Sequence, residues 1–207
     1  IAAHRLFGAN LAARGQTLKG DGFLISGSYF PVLGVRPALG RLLNTDDDRT
    51  IGESHVVVLS HSYWQTRFGS DPGVLNQPLI VNGQEMTIVG VAPRAFDGTT
   101  IGAKPEVFVP ITMRGLMQPG FKGFDDRRNY WAYLFGRLKP GVPLEQARAA
   151  LNGQYHAIIN DVEAPLQKGM SEQTMARFRA KPMLVDRGVR GPVSYTHLRA
   201  HETGRNL

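Results

Sequence analysis

The sequence predicts an α+β fold, and three observations carry that prediction. An Asn82-Gly83 pair sits between two apolar runs, several other runs are strand-length and β-branched, and one amphipathic helical stretch follows Pro143. The 207 residues can hold one large domain or two small ones. Hydrophobic residues make up 42 % and charged residues 20 %, which supplies a packed core and argues against global disorder.

Residues 1–20 read as a truncated start with a strand and a Gly-rich turn, and residues 23–27 as a short buried strand. Residues 29–35 make one or two helical turns, stopped by Gly34 and Pro37. The polar stretch 42–54, with its acidic run 46–48, is a surface loop. Residues 55–60 are a central strand because three valines and a leucine follow one another. Ser60 or Ser62 caps a short helix over 63–68, which Gly69 ends, and Asp71, Pro72 and Gly73 make a turn.

The clearest local signal is 78–91. Asn-Gly accepts the positive φ angles of a type I′ turn, whose twist matches paired strands. In that register Val81 faces Gln84 and Leu79 faces Met86. Leu79, Val81, Met86 and Ile88 then share one face, with Ile80, Val89 and Val91 on the other, so both faces should be covered. Residues 106–111 form a strand, placed at an edge by Pro110. Residues 113–129 are a loop and 130–139 a strand. After the turn at Pro140 and Gly141, Pro143 opens a helix to about residue 161, whose apolar stripe is Leu144, Ala147, Leu151, Tyr155 and Ile158. Residues 164–180 are helical in part and 181–185 a strand, completing a strand–helix–strand unit over 130–185.

Composition narrows the function. With no cysteine there is no disulfide framework and no thiolate metal site. No run nears the roughly 18 apolar residues that span a bilayer, and no signal peptide is visible. The net charge of +7 raises the question of nucleic acid, yet the basic residues are scattered beside acids: Arg127 and Arg128 follow Asp125 and Asp126, and Arg49 follows Asp48. No basic stripe or nucleic-acid motif appears, so no nucleic-acid partner is expected.

Each candidate for chemistry has a plainer structural reading. Asp46, Asp47, Asp48 and Glu53 would suit calcium, but the loop lacks the EF-hand spacing and its central Gly, which favours a solvated acidic loop. His55 and His61 bracket a strand, and His4 and His156 stand alone, with no third ligand or orienting acid at fixed spacing. Ser60, His61 and Ser62 lie outside any G-x-S-x-G elbow, and no phosphate-binding loop occurs. Trp64 and Trp131 would serve a ligand groove, but core packing suits them better, as it does Tyr29 and Phe30. No catalytic, cofactor-binding or metal-binding residue is assigned, and no cofactor is expected.

Residues 193–203 (VSYTHLRAHET) match the translation of a transposase adapter used in preparing sequencing libraries. Residues 193–207 are therefore read as a non-native tail, and the His197, His201 and Glu202 grouping within it as an accident and not a metal site.

The middle of the chain resembles the MacB-like periplasmic core domain of ABC-transporter permeases, the FtsX/MacB-type family. The residues that carry the likeness begin with Ser26, Gly27, Ser28, Tyr29 and Phe30. Leu33, Gly34, Val35, Pro37, Gly40 and Arg41 follow, in a YF-x-x-LGV-x-P-x-x-GR pattern. Val57 to Ser60, Tyr63, Trp64, Phe68, Gly69, Val81 to Gly83, Thr87 to Pro93, Phe96 and Val107 to Pro110 continue it. The likeness is close over 22–111 and looser over 133–159.

The resemblance implies a membrane subunit of a bacterial inner membrane, with this segment in the periplasm, one transmembrane helix before it and three after. It implies a porter-like subdomain from 1–28 and 130–191 and an inserted, mainly-β, Sabre-like subdomain over 29–129. Its partners would be a cytoplasmic ABC ATPase domain or subunit, a second permease copy in a dimer and a periplasmic adaptor. The domain would then be no enzyme: it would couple ATP-driven motion to export or extrusion. The other class that fits the sequence is a free periplasmic ligand-binding protein or enzyme. Hydrophobic helices on both flanks would separate the two.

Overall fold

A computed structural model describes residues 1–126 and 129–188, and the adapter-like tail, together with Arg127, Arg128 and Arg190, lies outside the described residues. The described residues divide into two compact units, 1–137 and 138–188. The chain contains both helices and strands, as an α+β fold requires, with the strands all in the first unit among the described residues.

The first unit begins with a long hairpin. Strands β1 (Ala2–Ala13) and β2 (Gln16–Ile25) pair antiparallel from His4↔Ile25 to Ala13↔Gln16. The turn between them is Arg14-Gly15, both at positive φ (49° and 73°), which the expectation of a loose Gly-rich start understated. Helix α1 (Tyr29–Leu33) is one turn long and ends at Gly34, φ 70°. The two-residue β3 (Leu39–Gly40) and strand β4 (Val56–Leu59) follow. Helix α2 (His61–Phe68) is capped by the Ser60 hydroxyl, which accepts from the Tyr63 amide at 3.2 Å, and ends at Gly69 in the left-handed region.

Strands β5 (Pro78–Val81) and β6 (Gln84–Val91) form the hairpin in the register read from the sequence, with Asn82 at φ 48° and Gly83 at φ 80°. One detail differs. A bulge in the β4–β6 pairing skips Val89, so Val57 pairs with Ile88 but Val58 with Gly90. The extra residue reverses the alternation, and Val91 packs in the same cluster as Leu79 and Ile88 instead of beside Ile80. Glycine is required at the bulge because a Cβ on Gly90 would overlap the carbonyl oxygen of Arg41.

Strand β7 (Val107–Pro110) is not at an edge. It lies between β2 and β4, with all four residues buried. Pro110 is tolerated there because it is the strand's last residue, beyond the pairing with β4. Helix α3 (Arg114–Met117) follows within the expected loop, and β8 (Tyr133–Phe135) pairs with the start of β1.

The pairings close a ring: β1 with β2, β2 with β7, β7 with β4, β4 with β6, β6 with β5, and β5 back to β1. All six strands send alternate side chains into one core cluster, among them Phe7, Leu24, Val57, Leu79, Ile88 and Val109. The opposite faces of β2, β4 and β7 build a second cluster, where Phe23, Val58 and Phe108 pack on Tyr29 and Phe30 of α1. The first 28 residues therefore share a core with the β5–β6 hairpin.

In the second unit, helix α4 (Leu144–Ile158) starts after Pro143, which is its N-cap. It runs through a π-helical turn (Ile159–Glu163) into α5 (Ala164–Leu166). Ile159 is buried there while Ile158 is 51 % exposed, because the stripe continues four residues beyond Tyr155. Helix α6 (Glu172–Ala180) comes next. The expected strand at 181–185 is extended chain without a strand partner among the described residues. Side chains of α4 hold it: Asn152 exchanges two hydrogen bonds with the Met183 backbone (2.8 and 3.1 Å), and Arg148 donates to the Val185 carbonyl (2.8 Å). No helix among the described residues is long and apolar enough to cross a membrane.

Candidate functional site

The acidic run is consumed by local structure. Asn44 caps the short 3-10 turn Thr45–Asp48, accepting from the Asp46 amide at 2.7 Å, while Asp47 returns the bond to the Asn44 amide at 2.9 Å. Arg41 forks onto both Asp47 oxygens at 2.6 and 2.8 Å. Burial works against this carboxylate, but the Arg41 and Asn44 hydrogen bonds outweigh it and hold its pKa below the usual range. Asp48 turns the other way and accepts from the Gly27 amide at 3.0 Å, and burial pushes its pKa up. Asp46 pairs with Arg49 on the surface. The three carboxylates thus diverge, and no group of three or more metal-ligating side chains occurs among the described residues.

The histidines are dispersed. His55 contacts the Glu53 carbonyl at 3.2 Å, His61 meets Trp64 edge-on, and His156 in the second unit contacts the Arg179 carbonyl at 3.3 Å. Ser60 serves as the α2 cap and lies 3.2 Å from the Ser62 hydroxyl.

His4 is the exception, because the fold encloses it. Its ring lies 5.4 Å from those of Phe23 and Tyr133, 5.8 Å from Phe135 and 5.9 Å from Tyr29. Its two nitrogens contact the hydroxyls of Thr99 and Thr100 at 3.3 and 3.2 Å. With 1 % of its surface exposed, burial drives its pKa down to about 4, and the ring is neutral at pH 7. Its partners are neutral, so the box fixes the ring as packing and presents no acid–base pair.

The two tryptophans have separate settings. Trp64 donates its indole N–H to the Asp71 carbonyl at 2.8 Å and packs against the ring core. Trp131 joins Phe121 and Phe124 in an aromatic trio with centroids 5.2 to 5.7 Å apart, and the Arg114 guanidinium lies over two of those rings. The sequence reading missed Arg114. The only sequence signal for it is the density of aromatic residues over 121–135.

A hollow of about 90 Å³ between the first hairpin and α2, lined by Leu11, Leu18, Tyr63, Phe68, Arg14 and Arg67, is smaller than the roughly 300–1,000 Å³ of small-molecule sites. A wider, open hollow of about 350 Å³ over Leu11, Thr17, Leu18, Ile80 and Gly83 has Lys19 as its one charged lining residue.

Residues 2–154 match the MacB-like periplasmic core domain. The periplasmic region of MacB from Actinobacillus actinomycetemcomitans superposes with a TM-score of 0.51 at 16 % identity, over 76 % of this chain and 66 % of that one, and shows the likeness of fold. The chain thus spans about two thirds of that region's length. The extracellular domain of the noncanonic ABC-type transporter YknZ from Gram-positive bacteria matches over 56 % of each chain at 17 % identity, with a TM-score of 0.44. No curated protein matches the chain.

Proposed function

Because the chain belongs to the family of MacB-like periplasmic core domains, we propose that it is the extracytoplasmic part of an ABC-transporter permease and that it relays motion instead of performing chemistry. A cytoplasmic ATPase domain or subunit drives it across the inner membrane. A second permease copy pairs with it, and a periplasmic adaptor receives the motion for export or extrusion of a substrate.

One observation supports the relay above the others. Ala2 pairs with Phe135, Ala3 with Leu134 and His4 with Tyr133, so the first and last strands of the ring unit lie side by side. Arg137 adds a 2.8 Å hydrogen bond to the Val32 carbonyl beside them. From that point β1 runs 12 residues, about 40 Å, to the hairpin tip, and pairs with β2 over most of its length. Displacement at the base is carried to the tip by a braced ladder, because close-packed cores deform little.

The test uses the full-length permease with its ATPase. A fluorophore on Lys19→Cys, near the tip, should be labelled from outside intact spheroplasts and should change signal when ATP is added. Leu134→Pro, which breaks the β1–β8 ladder, should abolish the change while ATP hydrolysis continues. A label at Lys19 that is blind to ATP in the unmutated permease would sink the relay. Saturable ATP binding by the isolated 207-residue chain would favour an enzyme instead.

A further inference from the structure

The hydroxyl of Tyr63 is the least explained polar group of α2. The residue sits in the helix's first turn with 5 % of its surface exposed, and its ring meets Phe68 edge-on, with 5.8 Å between centroids. Its amide is taken by the Ser60 cap, but its hydroxyl has no hydrogen-bond partner among the described residues. A buried tyrosine ordinarily finds one. Burial also pushes the Tyr63 pKa up, so the group is an O–H donor at neutral pH.

Tyr63 lines the hollow of about 90 Å³ between α2 and the tip of the first hairpin, and Leu11, Leu18 and Phe68 give that hollow apolar walls. Ala13 is too small to fill it, and Gln16, opposite Ala13 in the β1–β2 ladder, turns its side chain to Arg67. Two arginines complete the lining. Arg14 is engaged, 3.2 Å from the Asp71 carboxylate and 5.2 Å over the Phe68 ring. Arg67 is exposed and makes only a 3.4 Å bond to the neutral Gln16 amide oxygen, with no carboxylate paired to it among the described residues. The hollow therefore joins apolar walls, an O–H without an acceptor and one cation in excess.

We propose that this hollow binds a short, branched aliphatic carboxylate, with its tail against Leu11, Leu18 and Phe68 and its head between the Tyr63 hydroxyl and the Arg67 guanidinium. An ionised carboxylate only accepts, so it takes a bond from each donor and balances the excess charge. Size selects the tail. A cavity of about 150 Å³ takes benzene, so this smaller one excludes an aromatic ring and leaves room for an isopropyl group. An inorganic oxyanion would meet the same donors but leave the apolar walls uncovered. The site is independent of the relay, because it needs only the folded chain and its test uses no ATPase.

Isovalerate is the probe, added to the full 207-residue chain and followed by the methyl resonances of Leu11 and Leu18. They should shift saturably, with a midpoint of about 1–10 mM, while sodium chloride at matched ionic strength leaves them in place. Isovaleramide, the same shape without the charge, should bind about tenfold more weakly. Tyr63→Phe should weaken isovalerate about tenfold and leave the thermal midpoint unchanged or higher, because it removes an unpaired buried group. A hydroxyl with only a structural role would show the reverse. Arg67→Gln should weaken binding about threefold, since an exposed ion pair contributes little. Ala13→Leu fills the hollow and should abolish the shift. Should that variant fold poorly, the acid–amide comparison and Tyr63→Phe still decide. The proposal is overturned by the absence of a saturable shift, by equal binding of acid and amide, or by unchanged isovalerate binding in Tyr63→Phe. An acetylated peptide ending in leucine carries the same head and tail on a chain end. Tighter binding of that peptide than of isovalerate overturns the assignment to a free acid, and equal or weaker binding supports it.

Discussion

The side-chain amide of Asn82 donates to the carbonyl of Met117 at 2.7 Å, tying a hairpin turn to the last residue of α3. The same amide donates to the Gly8 carbonyl at 3.0 Å, and its oxygen accepts from the Asn10 amide at 2.6 Å. Asn82 thus does two things: it accepts φ 48°, and it fastens β1 and α3 to the hairpin. Asn82→Gly keeps the turn and loses the three bonds, at a cost of about 1–3 kcal/mol. Asn82→Ala adds backbone strain and should cost about 1 kcal/mol more. At Gly83 nothing lies within reach of a new Cβ, so Gly83→Val should cost about 1–3 kcal/mol from φ strain alone. Urea unfolding of the three variants checks the order.

His4 should make stability depend on pH. Its pKa is about 4 in the folded chain against about 6.5 unfolded, so the unfolded state takes up the proton first as pH falls. The contribution is whole above pH 6.5, is lost between pH 6.5 and 4, and is flat below that, for a total of up to about 3 kcal/mol. Asp48 and Glu106, whose pKa values burial raises, act in the opposite sense on acidification. His4→Phe keeps the ring packing and removes the proton site. The difference between the two chains in unfolding free energy should shrink by about that amount from pH 4 to 7.

The acidic loop should respond to loss of Asp47 and not to calcium. Asp47→Ala removes the capping-box acceptor and leaves Arg41 unpaired, at about 1–3 kcal/mol. Millimolar calcium should leave the melting temperature of the unmutated chain where it was.

The basic end of the second unit should meet anionic surfaces weakly. Arg177, Arg179, Lys181 and Arg187 are all exposed, and Leu184 among them is 85 % exposed. Each basic residue near an anionic bilayer contributes about 1 kcal/mol at best, and salt screens it. Sedimentation with phosphatidylglycerol vesicles should show binding at low salt and release at high salt. Arg177→Gln with Arg187→Gln should weaken it, and equal binding to neutral vesicles would count against the idea.

Where turn and cap chemistry is local, the fold was legible in the sequence. Asn82-Gly83 set the hairpin register, and Ser60 and Gly69 set the limits of α2. The Arg14-Gly15 turn escaped notice because arginine is not a usual residue at positive φ. The ring closure and the central place of β7 depend on pairings between strands as far apart as β2 and β7, which no local pattern encodes. The same holds for the sites. His4 reads as isolated because its box is assembled from residues 23, 29, 99, 100, 133 and 135. Arg114 was missed because stacking partners 7 and 17 positions away obey no spacing rule.

The pairing of Ala2 with Phe135 also bears on how such a domain is inherited. Neighbouring strands lie about 4.8 Å apart, so the folded segment between those residues begins and ends at almost one point. A host protein needs only two adjacent attachment positions to accept it, and neither side must stretch. Segments of this kind can be duplicated or exchanged whole between unrelated backbones, with the interior left intact and only the junction open to revision.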